Sequence, residues 1–139
     1  MPEALTAATT ATVQRLYADY AQGKAETVLE ALDPAVSWVS VGCEGIPWAG
    51  AYQGPEGVLQ FLERLGNAVE LLSYQVDRII AQGEWAVVLA TARGRYRASG
   101  QEQVLSLVDV LRLREGRVVE FREFYDSGAV LAALPPILG

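Results

Sequence analysis

Residues 104–126 read VLSLVDVLRLREGRVVEFREFYD, and this stretch decides the fold of the chain. Apolar and polar side chains alternate on both sides of Glu115-Gly116, a pair that favours a tight turn between two strands. The pattern therefore predicts an antiparallel hairpin with strands at 103–114 and 117–125. Since successive side chains of a strand point to opposite faces, the length of the turn determines which residues share a face.

The turn allows two registers, which differ in the partner of Asp109. A three-residue loop pairs Asp109 with Phe121, and Glu123 then lies opposite Leu107. A two-residue loop pairs Asp109 with Arg122 instead. We favour the three-residue loop because it gives one face an apolar set suited to packing under helices, with two acids among it. The residues of that face are Leu105, Leu107, Asp109, Leu111, Val119, Phe121, Glu123 and Tyr125.

The rest of the sequence surrounds this hairpin with helices and further strands. Spacing of apolar residues predicts helices at 5–22, 24–32 and 55–66 and a last short helix from Ser127 that ends at Pro135-Pro136. Alternation predicts strands at 35–41, 69–81 and 84–97, with a glycine-rich loop at 42–54. The order predicts an α+β fold, with three to four helices on one face of a curved, mainly antiparallel sheet that encloses a pocket. We expect residues 1–139 to form one domain.

Composition excludes several kinds of chemistry. The 139 residues carry a net charge of −6 and include no histidine. An acidic chain is a poor partner for nucleic acid, and the lack of histidine excludes Ser-His-Asp and Cys-His catalysis and the common zinc sites. No apolar run is long enough to cross a bilayer, and the first residues show no secretory pattern. We expect a cytoplasmic protein without metal or cofactor, whose acid-base groups are Asp, Glu and Tyr.

The predicted strand at 84–97 has two contrasting faces. Small residues on one face leave room beneath the helices, as a pocket requires: Ala86, Ala90, Ala92 and Gly94. The outer face of this strand and the next is too apolar for water, since it carries Trp85, Val87, Leu89, Val104, Val108 and Val110. Because helices can cover only one side of the sheet, we predict a homodimer in which a second copy covers the outer face.

Two segments of the sequence resemble a known group of proteins. Residues 47–58, PWAGAYQGPEGV, and residues 112–126, RLREGRVVEFREFYD, are similar to motifs of the nuclear-transport-factor-2-like (NTF2-like) superfamily. Within it, they resemble the branch of SnoaL-like polyketide cyclases and ketosteroid-isomerase-like proteins. The resemblance covers nearly the whole chain and implies a cone-shaped fold with an interior pocket. It does not select an activity, because this scaffold hosts isomerases, cyclases, hydrolases, dehydratases and binding proteins.

The resemblance also suggests roles for particular positions. Asp109 matches the strand aspartate that ketosteroid isomerases use, protonated, as an oxyanion donor. Their oxyanion tyrosine aligns with Leu16, one residue before Tyr17, and their general base aligns with Ser40, so steroid isomerisation by that mechanism is not expected. Asp126 approximately matches the acid-base aspartate of SnoaL-type cyclases.

Three carboxyl groups are candidate catalytic residues on physical grounds. Burial among aliphatic residues should raise the pKa of Asp109, and Glu123 in the same pocket would push the two pKa values apart. Each acid also has a structural alternative. Asp109 could be a buried acid satisfied by a tyrosine or arginine, Glu123 could form a salt bridge, and Asp126 could cap the final helix.

Aromatic and aliphatic residues around these acids are the predicted ligand-binding set. Trp48 and Tyr52 could stack on a flat ligand from the loop at the pocket mouth. The full set is Leu16, Tyr17, Tyr20, Trp38, Ser40, Trp48, Tyr52, Phe61, Leu62, Leu65, Phe121 and Tyr125. The leading hypothesis is a cofactor-independent isomerase, cyclase or dehydratase acting on a small to medium hydrophobic carbonyl compound. Asp109 would stabilise the enolate oxygen, with Asp126 or Glu123 as the base. The competing hypothesis is a dimeric protein that binds a hydrophobic small molecule without turnover.

Overall fold

The structure, a computed structural model, describes residues 2–135 as four helices against one curved six-stranded sheet. The strands lie in the order β2-β1-β6-β5-β4-β3. In chain order the elements are α1 (Pro2–Ala21), α2 (Ala25–Glu30), β1 (Leu32–Ser40), β2 (Gly50–Gln53), α3 (Gly54–Ala68), β3 (Val69–Gln82), β4 (Trp85–Tyr96), β5 (Glu102–Arg114), β6 (Arg117–Phe124) and α4 (Ser127–Ala133). The predicted fold class is confirmed.

The β5–β6 hairpin differs from both predicted registers. Its loop has two residues, Glu115 and Gly116, whose φ angles of 52° and 78° are both left-handed, as in a type I′ turn. β6 then bulges at Val119, since Leu113 pairs with Val118 whereas Arg112 pairs with Glu120. The prediction of a three-residue loop was therefore wrong, and so was the Arg122 alternative. The bulge places Asp109 directly opposite Glu123.

The bulge also changes which valine faces the core. Leu113 pairs with Val118, which is fully buried, whereas Val119 is half-buried at the bulge. The prediction that Val119 joins the inner face was wrong, because the extra residue exchanges its place with that of Val118. The acids predicted for that face keep their place, since Leu111 now pairs with Phe121 and the alternation continues to Glu123.

The first strand is longer than predicted and pairs with a strand on each side. β1 pairs in parallel with β6 and antiparallel with β2. The loop predicted at 42–54 was wrong at its end, where Gly50–Gln53 forms β2. The last helix ends at Ala133, and Pro136 lies outside the described residues.

The core lies between the helices and the concave face of the sheet. Val13 of α1 and Val58 of α3 are fully buried, and Val88 and Leu111 are their counterparts on the central strands. Ala86 and Ala90 are buried on the same face of β4, as the pattern of small residues predicted. Ala92 and Gly94, further along the same strand, border the open space beneath the helices.

The convex face of the sheet is uncovered in the single chain. Trp85 is 46% exposed and Val104 is 62% exposed, and Val108 and Phe124 are also exposed. Arginine and glutamate side chains form ion pairs at the rim, including Arg93 with Glu102 at 3.4 Å. The homodimer through this face stays a prediction. Within residues 2–135, no helix is long and apolar enough to cross a membrane.

Candidate functional site

A cavity of about 320 Å³ opens between the helices and the concave face of the sheet. Its lining is mostly aromatic and aliphatic. Of the residues predicted to bind ligand, those that line it are Leu16, Tyr17, Tyr20, Trp38, Trp48, Phe61, Leu62, Leu65, Phe121 and Tyr125. Asp109 and Glu123 lie in the same wall. No group of three or more His, Cys, Asp or Glu side chains within residues 2–135 is placed to hold a metal ion.

Asp109 is held in the wall by two tyrosines. The Tyr17 hydroxyl donates a hydrogen bond of 2.6 Å to Oδ2 of Asp109, and the Tyr74 hydroxyl lies 3.4 Å from the same atom. Oδ1 has no hydrogen-bond partner among the described residues, and Asp109 is only 2% exposed. Burial raises the pKa of Asp109 to about 6, although the hydrogen bonds from Tyr17 and Tyr74 oppose the rise.

Glu123 faces Asp109 from the neighbouring strand and is the more accessible of the two acids. It is half-buried, and the cavity is the open space beside it. Burial and the negative charge of Asp109 raise the pKa of Glu123 to about 8. A hydrogen bond of 2.6 Å from the Ser40 hydroxyl to Oε1 acts in the opposite direction. Ser40 reaches it because β1 runs parallel to β6 with Ser40 beside Glu123.

The tyrosines around the two acids remain hydrogen-bond donors across the physiological pH range. Burial, with the nearby carboxyl charges, raises the pKa of Tyr17, Tyr20 and Tyr74. Tyr20 is half-buried and lines the cavity, and its ring meets that of Tyr74 edge to face at 5.2 Å between centroids. Its phenol is therefore a neutral donor beside two acids.

An aromatic wall lies next to Glu123, two residues earlier on β1 and β6 than the pair of Ser40 and Glu123. The Trp38 ring stacks on Phe121 with centroids 3.7 Å apart and an interplanar angle of 17°, and Phe61 packs on Trp38 at 5.6 Å. Trp38 and Phe121 are brought together by the parallel pairing of β1 with β6. Flat, apolar surfaces of this kind favour the body of a hydrophobic ligand.

Three predicted site residues do not line the cavity. Asp126 is exposed, and its Oδ1 accepts a hydrogen bond of 3.0 Å from the Ala129 backbone N–H, so it caps α4 as the structural alternative held. Tyr52 is buried beneath the loop, where its hydroxyl donates to the Trp48 carbonyl oxygen at 2.8 Å. Ser40 is 1% exposed, and its hydroxyl contacts Glu123 and does not face the cavity.

The sequence prediction missed Tyr74, which contacts Asp109 from β3. Tyr74 pairs with Ala92, which the sequence analysis placed on the pocket face, and this pairing could have identified Tyr74 as a pocket residue. The pairing of β3 with β4 shifts twice, between Leu71 and Ser73 and between Val76 and Arg78, so counting back from the turn fails. The resemblance to ketosteroid isomerases aligned their oxyanion tyrosine with Leu16. The phenol that contacts Asp109 belongs to the next residue, Tyr17.

The two acids form a coupled pair that can give and take protons in an apolar site. Two carboxyl groups that face each other resist double ionisation, so they lose their protons in separate steps. The pair accordingly holds one proton between pH values of about 6 and about 8. A carboxylate of raised pKa in an apolar pocket can remove a proton next to a carbonyl group.

The curved sheet, the helices on its concave face and the enclosed cavity define a protein of the NTF2-like class. The SnoaL-like domain profile matches residues 13–121, and the chain therefore belongs to the SnoaL-like family. The predicted resemblance is confirmed at this level. A comparison with curated proteins gives no match.

Several solved structures have the same fold. An NTF2-like protein of unknown function from Burkholderia pseudomallei is 26% identical, with a TM-score of 0.83 over 93% of this chain and 98% of that one. A SnoaL-like polyketide cyclase, so described, from Jannaschia sp. is 24% identical, with a TM-score of 0.78 over 95% and 96%. TerC, co-crystallised with polyporic acid, is 22% identical, with a TM-score of 0.77 over 88% and 95%. The last two comparisons support the fold alone.

Proposed function

We propose that this protein is a cofactor-independent enzyme that enolises a small to medium hydrophobic carbonyl compound, leading to isomerisation, cyclisation or loss of water. The observation that carries the proposal is the facing pair of Asp109 and Glu123 in the wall of an apolar cavity. Two neighbouring carboxyl groups in an apolar cavity are costly to maintain for structure alone, because their charges repel each other and lose hydration. Crystals of TerC with polyporic acid support an organic ligand for a protein of this fold.

The accessibility of the two acids divides their roles. Glu123 is half-buried beside the cavity, so it is the base that removes the proton next to the carbonyl group. Asp109 is 2% exposed and acts through its neighbour, because its negative charge raises the proton affinity of Glu123. Asp109 is therefore a positioning residue, held by a hydrogen bond from Tyr17. This role takes the place of the direct contact with the enolate oxygen that the sequence predicted.

The Tyr20 hydroxyl is the donor that we assign to the carbonyl oxygen. Its phenol lines the cavity close enough to both carboxylates for their charges to raise its pKa. A neutral donor aimed at the oxygen stabilises the charge that develops when the α-proton leaves. Asp126 has no part in the proposal, because it lies outside the cavity.

Exchange of α-hydrogen for deuterium tests enolisation without knowledge of the natural substrate. A panel of aryl and cyclic ketones is incubated with the protein in D₂O and followed by NMR. We expect exchange above the buffer rate for at least one ketone, and a rate that rises as the pH approaches about 8, because Glu123 must be ionised to act as a base. Binding of ketones without exchange would instead support the hydrophobic-ligand binding protein.

The exposed convex face supports the proposal that the functional unit is a homodimer. Trp85, Val104 and Val108 lie on adjacent strands of this face, and each is at least 38% exposed. We expect a dimer by analytical ultracentrifugation at micromolar concentration, and a monomer for Val108→Arg, since a charge placed in an apolar interface is costly. An arginine at the exposed Leu59 of α3, away from this face, is the control and should leave the dimer intact. A monomeric wild-type protein would contradict the proposal.

A further inference from the structure

The charged side chains that line the cavity are all acidic. Two carboxyl groups belong to its lining, whereas all 11 lysine and arginine residues of the chain lie outside it and histidine does not occur. Arg64, for example, is turned towards the Tyr52 ring at 5.6 Å, and Tyr52 does not line the cavity. A bound carboxylate or phosphate would therefore meet negative charge without a counter-ion, at low dielectric constant.

The rest of the cavity lining favours a positively charged ligand over a neutral one. Nine of the 12 aromatic residues of the chain lie in the lining, and the faces of such rings attract cations. Glu123 is the carboxylate that a ligand in the cavity can reach, and Asp109, whose Oδ1 has no hydrogen-bond partner among the described residues, adds its negative charge behind it. An ammonium group with an apolar body satisfies both features, since its N–H donors suit the carboxyl oxygens and its body suits the rings.

We propose that the cavity selects ligands by charge, and that it binds a hydrophobic molecule carrying a protonated amine more tightly than a ketone or a carboxylate of the same size. This specificity goes beyond the proposed enolisation and does not depend on turnover. It implies that the natural ligand enters without a negatively charged carrier group such as a phosphate or a free carboxylate.

Protonation of the two acids should be linked to binding of the amine. The titratable side chains that face the cavity, from every element around it, are Tyr17 and Tyr20 of α1, Tyr74 of β3, Tyr96 of β4, Asp109 of β5, Glu123 of β6 and Tyr125 beyond β6. The phenols stay neutral because burial raises the pKa of each. A bound cation favours ionisation of both acids, so affinity for the amine should increase between about pH 6 and about pH 8.

Three ligands of equal size test the selectivity: α-methylbenzylamine, acetophenone and benzoate. Binding is measured by calorimetry and by quenching of the fluorescence of Trp38 and Trp48, which line the cavity. We expect the amine to bind at least about tenfold more tightly than the ketone, and benzoate at least about tenfold more weakly. Equal affinities, the reverse order, or no binding of the amine would overturn the proposal.

Neutral variants show whether the two acids cause the preference. Asp109→Asn and Glu123→Gln should each reduce the ratio of amine to ketone affinity several-fold while acetophenone still binds, which also reports an intact cavity. Glu63→Gln, which removes an exposed carboxylate of α3 outside the cavity, should leave the ratio unchanged. A ratio that persists in both cavity variants would contradict the inference. Amine preference without deuterium exchange would refute the enolising enzyme and leave the charge selectivity standing.

Discussion

Replacement of Glu123 by glutamine is expected to lower the rate of α-deuterium exchange by about 10²- to 10⁴-fold, the usual contribution of a positioned general base. Glutamine keeps the shape of the side chain and an oxygen that can accept the hydrogen bond from Ser40. It has no proton affinity at neutral pH, so only the base is removed. NMR exchange with the ketone that the wild-type protein turns over fastest measures the effect.

Glu120→Gln is the matched control, because Glu120 lies three positions earlier on the same strand. It is on the opposite face, where its carboxylate is 3.6 Å from Arg112, and it should exchange at the wild-type rate. Asp109→Asn should act differently from Glu123→Gln: loss of the neighbouring charge lowers the pKa of Glu123 and moves the rise in rate to lower pH. An unchanged rate for Glu123→Gln would remove Glu123 from the mechanism.

The inner face of the hairpin shows how far the sequence could predict this site. Alternation alone placed Asp109 and Glu123 on the face covered by helices, since the period of a strand is two residues. It could not place them directly opposite each other. The partner of Asp109 depends on the left-handed Glu115 and on the bulge at Val119, and two adjacent valines at 118 and 119 read equally well with or without a bulge.

The hydrogen-bond partners of the acids were less accessible to sequence reasoning. Tyr17 lies on the inward stripe of a regular helix, so its direction followed from the helical period, whereas Tyr74 lies on a strand whose pairing shifts twice. Ser40 reached Glu123 only because β1 lies in parallel beside β6, a long-range pairing that no local pattern encodes. Local periodicity therefore predicts faces, and tertiary pairing decides contacts.

The accessibility of each acid was decided in the same way by packing. Asp109 lies in the middle of the sheet between Val88 and Glu123, beneath two tyrosines, and this sealed position accounts for its low exposure. Glu123 lies next to the last residue of its strand and lines the cavity. The sequence marked both as acids of one pocket, but only the structure shows that Glu123 is the more exposed of the two.

The stability of the wild-type protein is expected to fall as the pH rises from about 6 to about 8. Glu123 has a usual pKa of 4.5 in the unfolded chain and about 8 in the fold, so in this range the folded state keeps a proton that the unfolded state has lost. The contribution of Glu123 to stability is then fully present below pH 4.5 and is lost as the pH rises through the folded pKa of about 8. We expect a loss of about 2 kcal/mol, after allowance for solvent that reaches this half-buried group.

Glu123→Gln should abolish most of this loss, because glutamine does not titrate. Between pH 6 and pH 8 we expect the variant to gain about 2 kcal/mol of stability relative to the wild-type protein, or roughly 7 °C in Tm for a chain of this size. Urea denaturation at several pH values measures the difference, and Glu120→Gln should retain the wild-type slope. Asp109 contributes a similar slope at lower pH, between its usual pKa of 3.8 and about 6. A wild-type stability that stays level or increases from pH 6 to pH 8 would show that Glu123 is ionised in the fold, and would remove the raised pKa of Glu123 on which the proposed chemistry depends.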